Sequence, residues 1–237
     1  MAKIVVVGDR FAQFSENDKV LTFTQAKKFF LDNKNDGSYQ IVIGQGLSKN
    51  NIETFLKDIG GDNVDIESAN SCLPLLRETT LNTHKENEEN VLISESTKLD
   101  KKVYQCHLLI DDGCAEMSDH VTGQHIQGMV LLEACRQMVN SVSERYLIKT
   151  GYNKSFVLHA MNSEFLEYLF PVTSTMELTL RKYRKGLRGD FTAECTINVI
   201  QNDKICLTTS IKFSAVDKGS LNLIEQQMAE KSLNYKH

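Results

Sequence analysis

The sequence predicts an α+β protein with a small α/β domain over residues 1–68 and a larger antiparallel domain over residues 90–216. Two observations support this division. Strand-like and helix-like segments alternate up to residue 68, as they do in parallel α/β folds. Beyond residue 90 one long apolar helix is surrounded by segments with the pattern of strands. We expect the two domains to be joined by a linker, residues 69–89, and followed by a polar C-terminal tail, residues 217–237.

The first domain is expected to have the order βαβαβ. Residues 3–8 (KIVVVG) and 39–44 (YQIVIG) are continuous β-branched runs that end in glycine, which is typical of buried strands. Residues 22–33 and 49–61 have helical spacing of apolar side chains, and residues 63–68 complete the unit as a third strand.

Two loops of this domain, VGDRF and IGQGLS, follow strands, a position where many α/β domains bind phosphates. Neither loop is a GxGxxG motif or a P-loop. The interpretation we favour is therefore a structural or partner-docking unit.

The second domain is predicted to be an antiparallel sheet around one helix. The helix covers residues 128–148, with its buried face formed by Leu131, Ala134, Cys135, Met138, Val142 and Leu147. Six segments are expected to be strands: 90–96, 102–111, 164–170, 175–184, 190–201 and 204–216. An antiparallel sheet wrapped round a long central helix is the hotdog fold.

Composition narrows the function classes. The formal net charge of −4 argues against general nucleic-acid binding, and no apolar run is long enough to cross a bilayer. Six cysteines are scattered without a CxxC pair, and the N-terminus has the pattern of a strand rather than a signal peptide. We therefore expect a cytoplasmic protein with free thiols and no metal site.

The stretch DHVTGQHIQGMVLLEACRQM, residues 119–138, carries the candidate chemistry. Gly128 lies at the predicted start of the helix, where unpaired amides polarise a carbonyl oxygen as an oxyanion hole does. Glu133 follows five residues later, and burial in apolar surroundings is expected to raise its pKa for acid or base catalysis. His120 or His125 is the candidate partner that titrates near neutral pH.

Arg136 and Gln137 leave two interpretations open. At positions i+3 and i+4 from Glu133 they either hold that carboxylate ionised or bind a polar group of a substrate. The alternative without chemistry is that Glu133 and Arg136 form a structural ion pair, as helices packed in a dimer often need.

Residues 124–137, QHIQGMVLLEACRQ, resemble the A-factor biosynthesis (AfsA-type) hotdog family, whose pattern is approximately D-H-x-x-G-M-x-L-L-E-A-x-R-Q. Gln124 stands here in place of the aspartate. Upstream, THKENEENVLIS (83–94) is similar to the segment with which the family domain begins, so His84 and Lys85 match its first residues. The resemblance covers about residues 80–216.

The resemblance implies an acyltransferase that joins a β-ketoacyl group from acyl carrier protein to dihydroxyacetone phosphate, in γ-butyrolactone and secondary-metabolite biosynthesis. Acyl-ACP or acyl-CoA would be the substrate, and no cofactor is implied. Family members often carry two hotdog repeats, whereas this chain has room for one, so a homodimer is expected.

A more distant similarity links the chain to β-hydroxyacyl carrier-protein dehydratases, which place a histidine before the helix glycine. That similarity nominates His120, with Asp119 to orient it, whereas the AfsA pattern nominates His125. Besides the catalytic candidates, we expect substrate to contact Asp119, Gly128, Met129, Arg136 and Gln137.

Two further functions remain alternatives to the acyltransferase. One is a hotdog dehydratase or thioesterase acting on acyl-ACP or acyl-CoA, and the other is a non-catalytic acyl-binding scaffold. The replacement of the family aspartate by Gln124 keeps the scaffold open.

The hairpin RKYRKGLR contains five basic residues: Arg181, Lys182, Arg184, Lys185 and Arg188. The ordinary interpretation is a solvated turn. The functional interpretation is a docking patch for an acidic carrier protein or for the phosphates of coenzyme A.

Overall fold

The computed structural model describes residues 2–33, 39–59, 64–65, 76–119, 123–149, 153–186 and 189–233. Four residues of the predicted third strand (63 and 66–68), the predicted helix stop Gly151, and residues 69–75 of the predicted linker lie outside these ranges.

The N-terminal part is a four-stranded parallel sheet with two helices. Its elements are β1 (Ala2–Val7), β2 (Val20–Thr22), α1 (Phe23–Asp32), β3 (Tyr39–Ile43), α2 (Lys49–Ile59) and β4 (Val64–Asp65). The strand order is β2-β1-β3-β4. The predicted βαβαβ arrangement is confirmed, with the short strand β2 as an addition.

The C-terminal part is a hotdog domain. Its six-stranded antiparallel sheet has the order β5-β6-β8-β9-β10-β7 and comprises β5 (Thr97–Asp100), β6 (Val103–His107), β7 (Lys154–Phe165), β8 (Thr175–Lys185), β9 (Phe191–Gln201) and β10 (Lys204–Asp217). The central helix α4 (Gly128–Val142) continues into a π-helical turn, Ser143–Leu147. A short helix α3 (Thr80–Thr83) precedes the sheet, and α5 (Lys218–Leu233) follows it.

The core of the hotdog domain lies between α4 and the concave face of the sheet. The predicted buried face of α4 is confirmed for Leu131, Ala134, Cys135, Met138 and Val142, each at most 3% exposed. Alternate residues of β9 point into the same core, which is the period of two expected for a strand with one solvated face.

Two predicted strands of this domain are wrong. Residues 90–96 form only isolated bridges, Ile93 with Leu108 and Ser94 with Arg77, and the first regular strand is β5. The strand placed at residues 164–170 is β7 instead, which begins ten residues earlier, at Lys154. Since β7 is the edge strand, its outer residues are exposed and its sequence lacks the alternation that reveals a half-buried strand.

Residues 76–89, which we assigned to the linker, pack on the hotdog domain. Glu78 is buried there and binds Arg145 of the π-helical turn at 2.6 Å, and Asn140 of α4 donates to the Thr83 carbonyl at 3.3 Å. By these contacts the hotdog domain begins before residue 90. The predicted polar tail is largely the helix α5, which buries no residue.

The carboxyl ends of the parallel strands face the hotdog domain. A Cβ added to Gly8 would lie 1.8 Å from the Gly46 carbonyl oxygen, so the two loops touch through their backbones. The Gln45 side chain donates to Leu108 O at 2.9 Å and accepts from Ile110 N at 2.7 Å. The glycines of VGDRF and IGQGLS therefore serve loop contact and domain docking.

Candidate functional site

The start of α4 is built around a glycine. Gly128 is the first helical residue, and the preceding Gln127 makes no side-chain capping bond within the described chain. A Cβ on Gly128 would lie 2.8 Å from the Phe165 ring, so a larger residue would displace that ring from its contact with the helix start. The unpaired amides of the first turn carry partial positive charge suited to a developing oxyanion.

A groove of about 480 Å³ opens at this helix start. Gly128 and Leu131 form one wall, and Phe165 and Tyr168 form the other. His125 also lines the groove, where its ring contacts the Tyr168 ring with centroids 5.0 Å apart. The groove is therefore mainly apolar and carries one imidazole beside the amides of the helix start.

Glu133 is the centre of an ion cluster. Arg136 binds it through two bonds of 2.7 Å, Gln137 donates to it at 3.0 Å, and the Lys85 ammonium lies 3.0 Å away. Burial alone would raise the pKa of Glu133, but the hydrogen bonds from Arg136 and Gln137 and the nearby charges lower it to about 2. The predicted raised pKa is wrong, and the alternative, that Arg136 and Gln137 hold Glu133 ionised, is confirmed.

Lys85 and Glu116 belong to the same cluster. The Lys85 ammonium binds Glu116 at 2.6 Å, and although burial opposes it, its hydrogen bonds with Glu116 and Glu133 raise the pKa of Lys85. The likeness of His84-Lys85 to the first residues of the family domain was the only signal for this residue. No pattern in the sequence indicated Glu116, whose partner is 31 residues away.

Gln137 does not contact substrate in this arrangement. It is fully buried; its amide nitrogen donates to Asn90 O and Glu133, and its oxygen accepts from Leu92 N at 2.8 Å. The expected substrate-binding role is therefore replaced by a positioning role for Glu133.

The two halves of the predicted site lie on different faces of α4. Five residues separate Gly128 from Glu133, which corresponds to about 140° around a helix. The structure brings His125 to Gly128, and Arg136 and Gln137 to Glu133, but Glu133 does not line the groove. Met129, 67% exposed, lies on the surface between the two sets.

His120 lies outside the described residues, so the choice between His120 and His125 stays a prediction. Asp119, directly before it, is exposed. Of the two histidines, His125 is the one that the described structure places at the groove.

The basic hairpin is at the end of β8. Lys182 pairs with Glu194 at 2.7 Å, and Arg181 donates to the Thr196 hydroxyl at 3.1 Å, while Arg188 lies outside the described residues. These contacts lie on the outer face of the sheet. Carrier-protein docking at this hairpin stays a prediction.

The described residues also bear on metal binding, membrane insertion and thiol chemistry. No group of three or more metal-ligating side chains was found among those residues, nor any helix long and apolar enough to span a membrane. The five described cysteines are free and buried, and burial raises the pKa of Cys114, Cys135 and Cys195 to about 12, so these three are thiols rather than nucleophilic thiolates.

The A-factor biosynthesis hotdog domain matches residues 79–217, more than half of the chain. The chain belongs to this family. The match begins within the segment that packs on α4 and includes both the groove and the Glu133 cluster.

Solved structures are similar in fold at low sequence identity. A thioesterase from Haemophilus influenzae is 15% identical with a TM-score of 0.43, over 60% of this chain and 95% of that chain. A mutant thioesterase from Pseudomonas aeruginosa is 14% identical with a TM-score of 0.42, over 64% of this chain and 94% of that chain. No curated protein matches the sequence.

Proposed function

We propose that this chain is an acyl-thioester-processing enzyme, an acyltransferase that moves a β-ketoacyl group from a carrier-protein or CoA thioester to the hydroxyl of dihydroxyacetone phosphate. The observation that carries this proposal is the apolar groove that ends at the uncapped first turn of α4 with His125 beside it. Such a groove holds an acyl chain and presents its carbonyl to amide donors. Membership of the A-factor biosynthesis hotdog family supports the acceptor and the pathway class, γ-butyrolactone and secondary-metabolite synthesis.

In the proposed step the thioester carbonyl oxygen accepts hydrogen bonds from amides at the start of α4. The acceptor hydroxyl attacks the carbonyl carbon while His125 takes its proton. The C–S bond then breaks, and His125 returns the proton to the departing thiolate. The products are the acyl ester and the free thiol, with no cofactor required.

Glu133 has a different role in this scheme. With a pKa of about 2 it remains a carboxylate at neutral pH and donates no proton. Its function is to fix Arg136, whose side chain is 35% exposed and whose pKa is raised by its hydrogen bonds with Glu133. Arg136 then binds the phosphate of the acceptor, a group that guanidinium recognises well.

A homodimer would unite the two halves of the site. The outer edge of β7 pairs with no described strand, and Leu158, Phe165 and Leu166 are each about half exposed there. Met129 on α4 is also exposed. Edge strands and apolar patches of this kind are typical interfaces, and a second chain covering them would enclose both the groove and the Glu133 cluster.

The test is a reaction of purified protein with a β-ketoacyl thioester of acyl carrier protein and dihydroxyacetone phosphate, followed by mass spectrometry. The expected product is the acyl ester of the acceptor. His125→Gln should reduce its rate at least 100-fold, the usual contribution of a general base. The matched control, His159→Gln, changes a histidine that binds Ser214 at 2.8 Å away from the groove, and should keep the wild-type rate.

The other products decide between the alternatives. Free acid without ester would identify a thioesterase, and an enoyl thioester would identify a dehydratase. Carrier-protein binding without turnover would support the non-catalytic scaffold, and salt-sensitive binding lost on Arg184→Glu would support docking at the basic hairpin.

A further inference from the structure

A second cavity, of about 300 Å³, lies between the α/β domain and the hotdog domain. One wall is the loop after β3 with the first turns of α2, and the other is the end of β6 with the residues that follow it. In the parallel sheet, β2 and β3 lie on opposite sides of β1, so the direction of strand order reverses between β1 and β3. The carboxyl ends of strands at such a reversal are the usual ligand position in open α/β sheets, as are domain interfaces.

His107 lines this cavity and contains an unsatisfied polar atom. Its Nδ1 is buried and has no hydrogen-bond partner in the described structure, while its backbone N–H donates to the Ser94 hydroxyl at 2.9 Å. Burial lowers the pKa of His107, so its ring is neutral at physiological pH. A neutral imidazole nitrogen either accepts or donates one hydrogen bond, according to its tautomer.

The formal charges of the residues that line the cavity sum to zero. Lys49 and Arg77 line it, and so do Glu53 and Glu88. Arg77 is already occupied, because its guanidinium donates to the carbonyls of Val91 and Leu109 and lies 3.5 Å from Asp111. The cavity therefore lacks the excess positive charge that a phosphate or nucleotide requires.

The remaining lining is mainly apolar: Ile43, Leu47, Ile52, Leu76, Leu108 and Ile110. At roughly 30 Å³ for each water-sized group, the volume corresponds to a ligand of about ten non-hydrogen atoms. Apolar walls with a few placed polar groups are typical of small-molecule sites.

We propose that this interdomain cavity binds a small neutral molecule with an apolar body and one hydroxyl or carbonyl group, which forms a hydrogen bond with the imidazole ring of His107. The ligand would contact both domains, so its binding would couple the α/β domain to the hotdog domain. This site is separate from the groove at Gly128 and does not depend on the reaction proposed there.

The test uses three probes that share a cyclohexane ring and differ in charge, on the full chain: cyclohexanol, cyclohexanecarboxylate and cyclohexylamine. Binding is followed by methyl NMR of isoleucine-labelled protein, in which Ile43, Ile52 and Ile110 report on this cavity. We expect cyclohexanol to shift these three signals, and the two charged probes to bind at least tenfold more weakly. Absence of these shifts with cyclohexanol, or equal affinity for the charged probes, would overturn the proposal.

Two variants separate the role of His107 from that of the cavity. His107→Phe keeps a ring but removes the nitrogen, and should weaken cyclohexanol binding five- to tenfold while leaving methylcyclohexane binding unchanged. Ile52→Phe fills the cavity and should abolish binding of both probes. If cyclohexanol bound Ile52→Phe as tightly as wild type, the site would lie elsewhere; this result decides the proposal even where His107→Phe folds poorly.

The Ile197 methyl, buried in the hotdog core away from the cavity, is the internal control. Its signal should stay in place with every probe and variant. Loss of turnover at the Gly128 groove would leave these binding results unchanged, so the two proposals fail independently.

Discussion

Glu78 and Glu133 are two carboxylates of the hotdog domain, and each is bound by an arginine: Glu133 by Arg136 of α4, and Glu78 by Arg145 of the π-helical turn that follows it. Hydrogen bonds from Arg145 and Ser141 to Glu78, and from Arg136 and Gln137 to Glu133, overcome the effect of burial and lower the pKa of each to about 2. The two sites differ in access to solvent. The Glu78 side chain is 0% exposed, whereas that of Glu133 is 17% exposed beside an arginine that is 35% exposed.

This difference shows that a lowered pKa alone does not mark a reactive carboxylate. Glu78 receives five donors from within the domain: two from Arg145, and one each from Ser141, Asn82 and the backbone of Thr79. Its bonds connect residues 76–83 to the end of the helix and leave no position for a ligand. Glu133 holds Arg136, whose side chain still reaches solvent, so a substrate group has access to this cluster.

The largest effect is expected on removing the enclosed carboxylate. Glu78→Ala should lower the free energy of unfolding by about 3–5 kcal/mol, because it leaves Arg145 and Ser141 without their buried partner. Urea unfolding followed by circular dichroism measures this. Glu225→Ala on the exposed helix α5 is the control and should change stability by less than about 0.5 kcal/mol. If Glu78→Ala lowered the free energy of unfolding by less than about 1 kcal/mol, Glu78 would not have the structural role that distinguishes it from Glu133.

Acid should weaken the fold through both carboxylates. Because their folded pKa values lie below the ordinary value of 4.5, the unfolded chain binds protons more readily than the folded chain. Their contribution to stability is therefore complete above about pH 5 and is lost as the pH falls toward 2. Urea unfolding between pH 6 and pH 3 should show this decline, with a smaller slope in Glu78→Gln. Parallel slopes in the two proteins would exclude Glu78 as a source of the pH dependence.

Glu133→Gln should separate stability from function. Since Arg136 retains access to water, we expect a loss of only about 1–2 kcal/mol in unfolding free energy. Turnover should nevertheless fall strongly, mainly through a raised KM for the phosphate-bearing acceptor, because Arg136 loses its fixed position. A change in kcat alone with an unaltered acceptor KM would assign Glu133 to a different step.

Lys85→Met should have the smallest effect. It removes one of the two cations at Glu133, so the pKa of that carboxyl should rise, and the unfolding free energy should decrease by about 1 kcal/mol or less. Carbon-13 NMR titration of the glutamate carboxyls measures the pKa of Glu133, and urea unfolding measures the free energy of unfolding. An unchanged Glu133 titration would show that Arg136 and Gln137 lower the pKa of Glu133 without a contribution from Lys85.

Much of the fold could be predicted because its periodic segments are half buried. The long helix from Gly128 and the strands β8 to β10 follow the apolar pattern of the sequence. β7 was misplaced because an exposed edge carries no such pattern, and β2 was missed because three residues are too few to show one. The packing of residues 76–89 depends on polar contacts such as Glu78 with Arg145, which hydropathy does not reveal.

Of the candidate site, only the contacts between residues close together on one helix could be predicted. Helical spacing was enough to pair Glu133 with Arg136 and Gln137. The sign of the Glu133 pKa shift was not predictable from burial alone, because the hydrogen bonds from Arg136 and Gln137 outweigh burial and lower the pKa. Lys85, which also reaches Glu133 from 48 residues upstream, could not be placed there by helical spacing. The separation of Glu133 from the groove follows from its five-residue spacing from Gly128 on the helix, but the other wall of the groove could not be predicted, because the start of β7 was misplaced by ten residues.

The hydrogen bonds of Gln45 limit where this chain can be truncated. It satisfies the carbonyl of Leu108 and the amide of Ile110, while its own backbone amide donates to the Pro171 carbonyl at 3.0 Å. A truncation at residue 79, where the family match begins, would remove the hydrogen-bond partner of Leu108, Ile110 and Pro171, which lie in two hotdog segments. The family domain, residues 79–217, is therefore smaller than the part of this chain that must fold together. Protein expressed from residue 79 onward should aggregate.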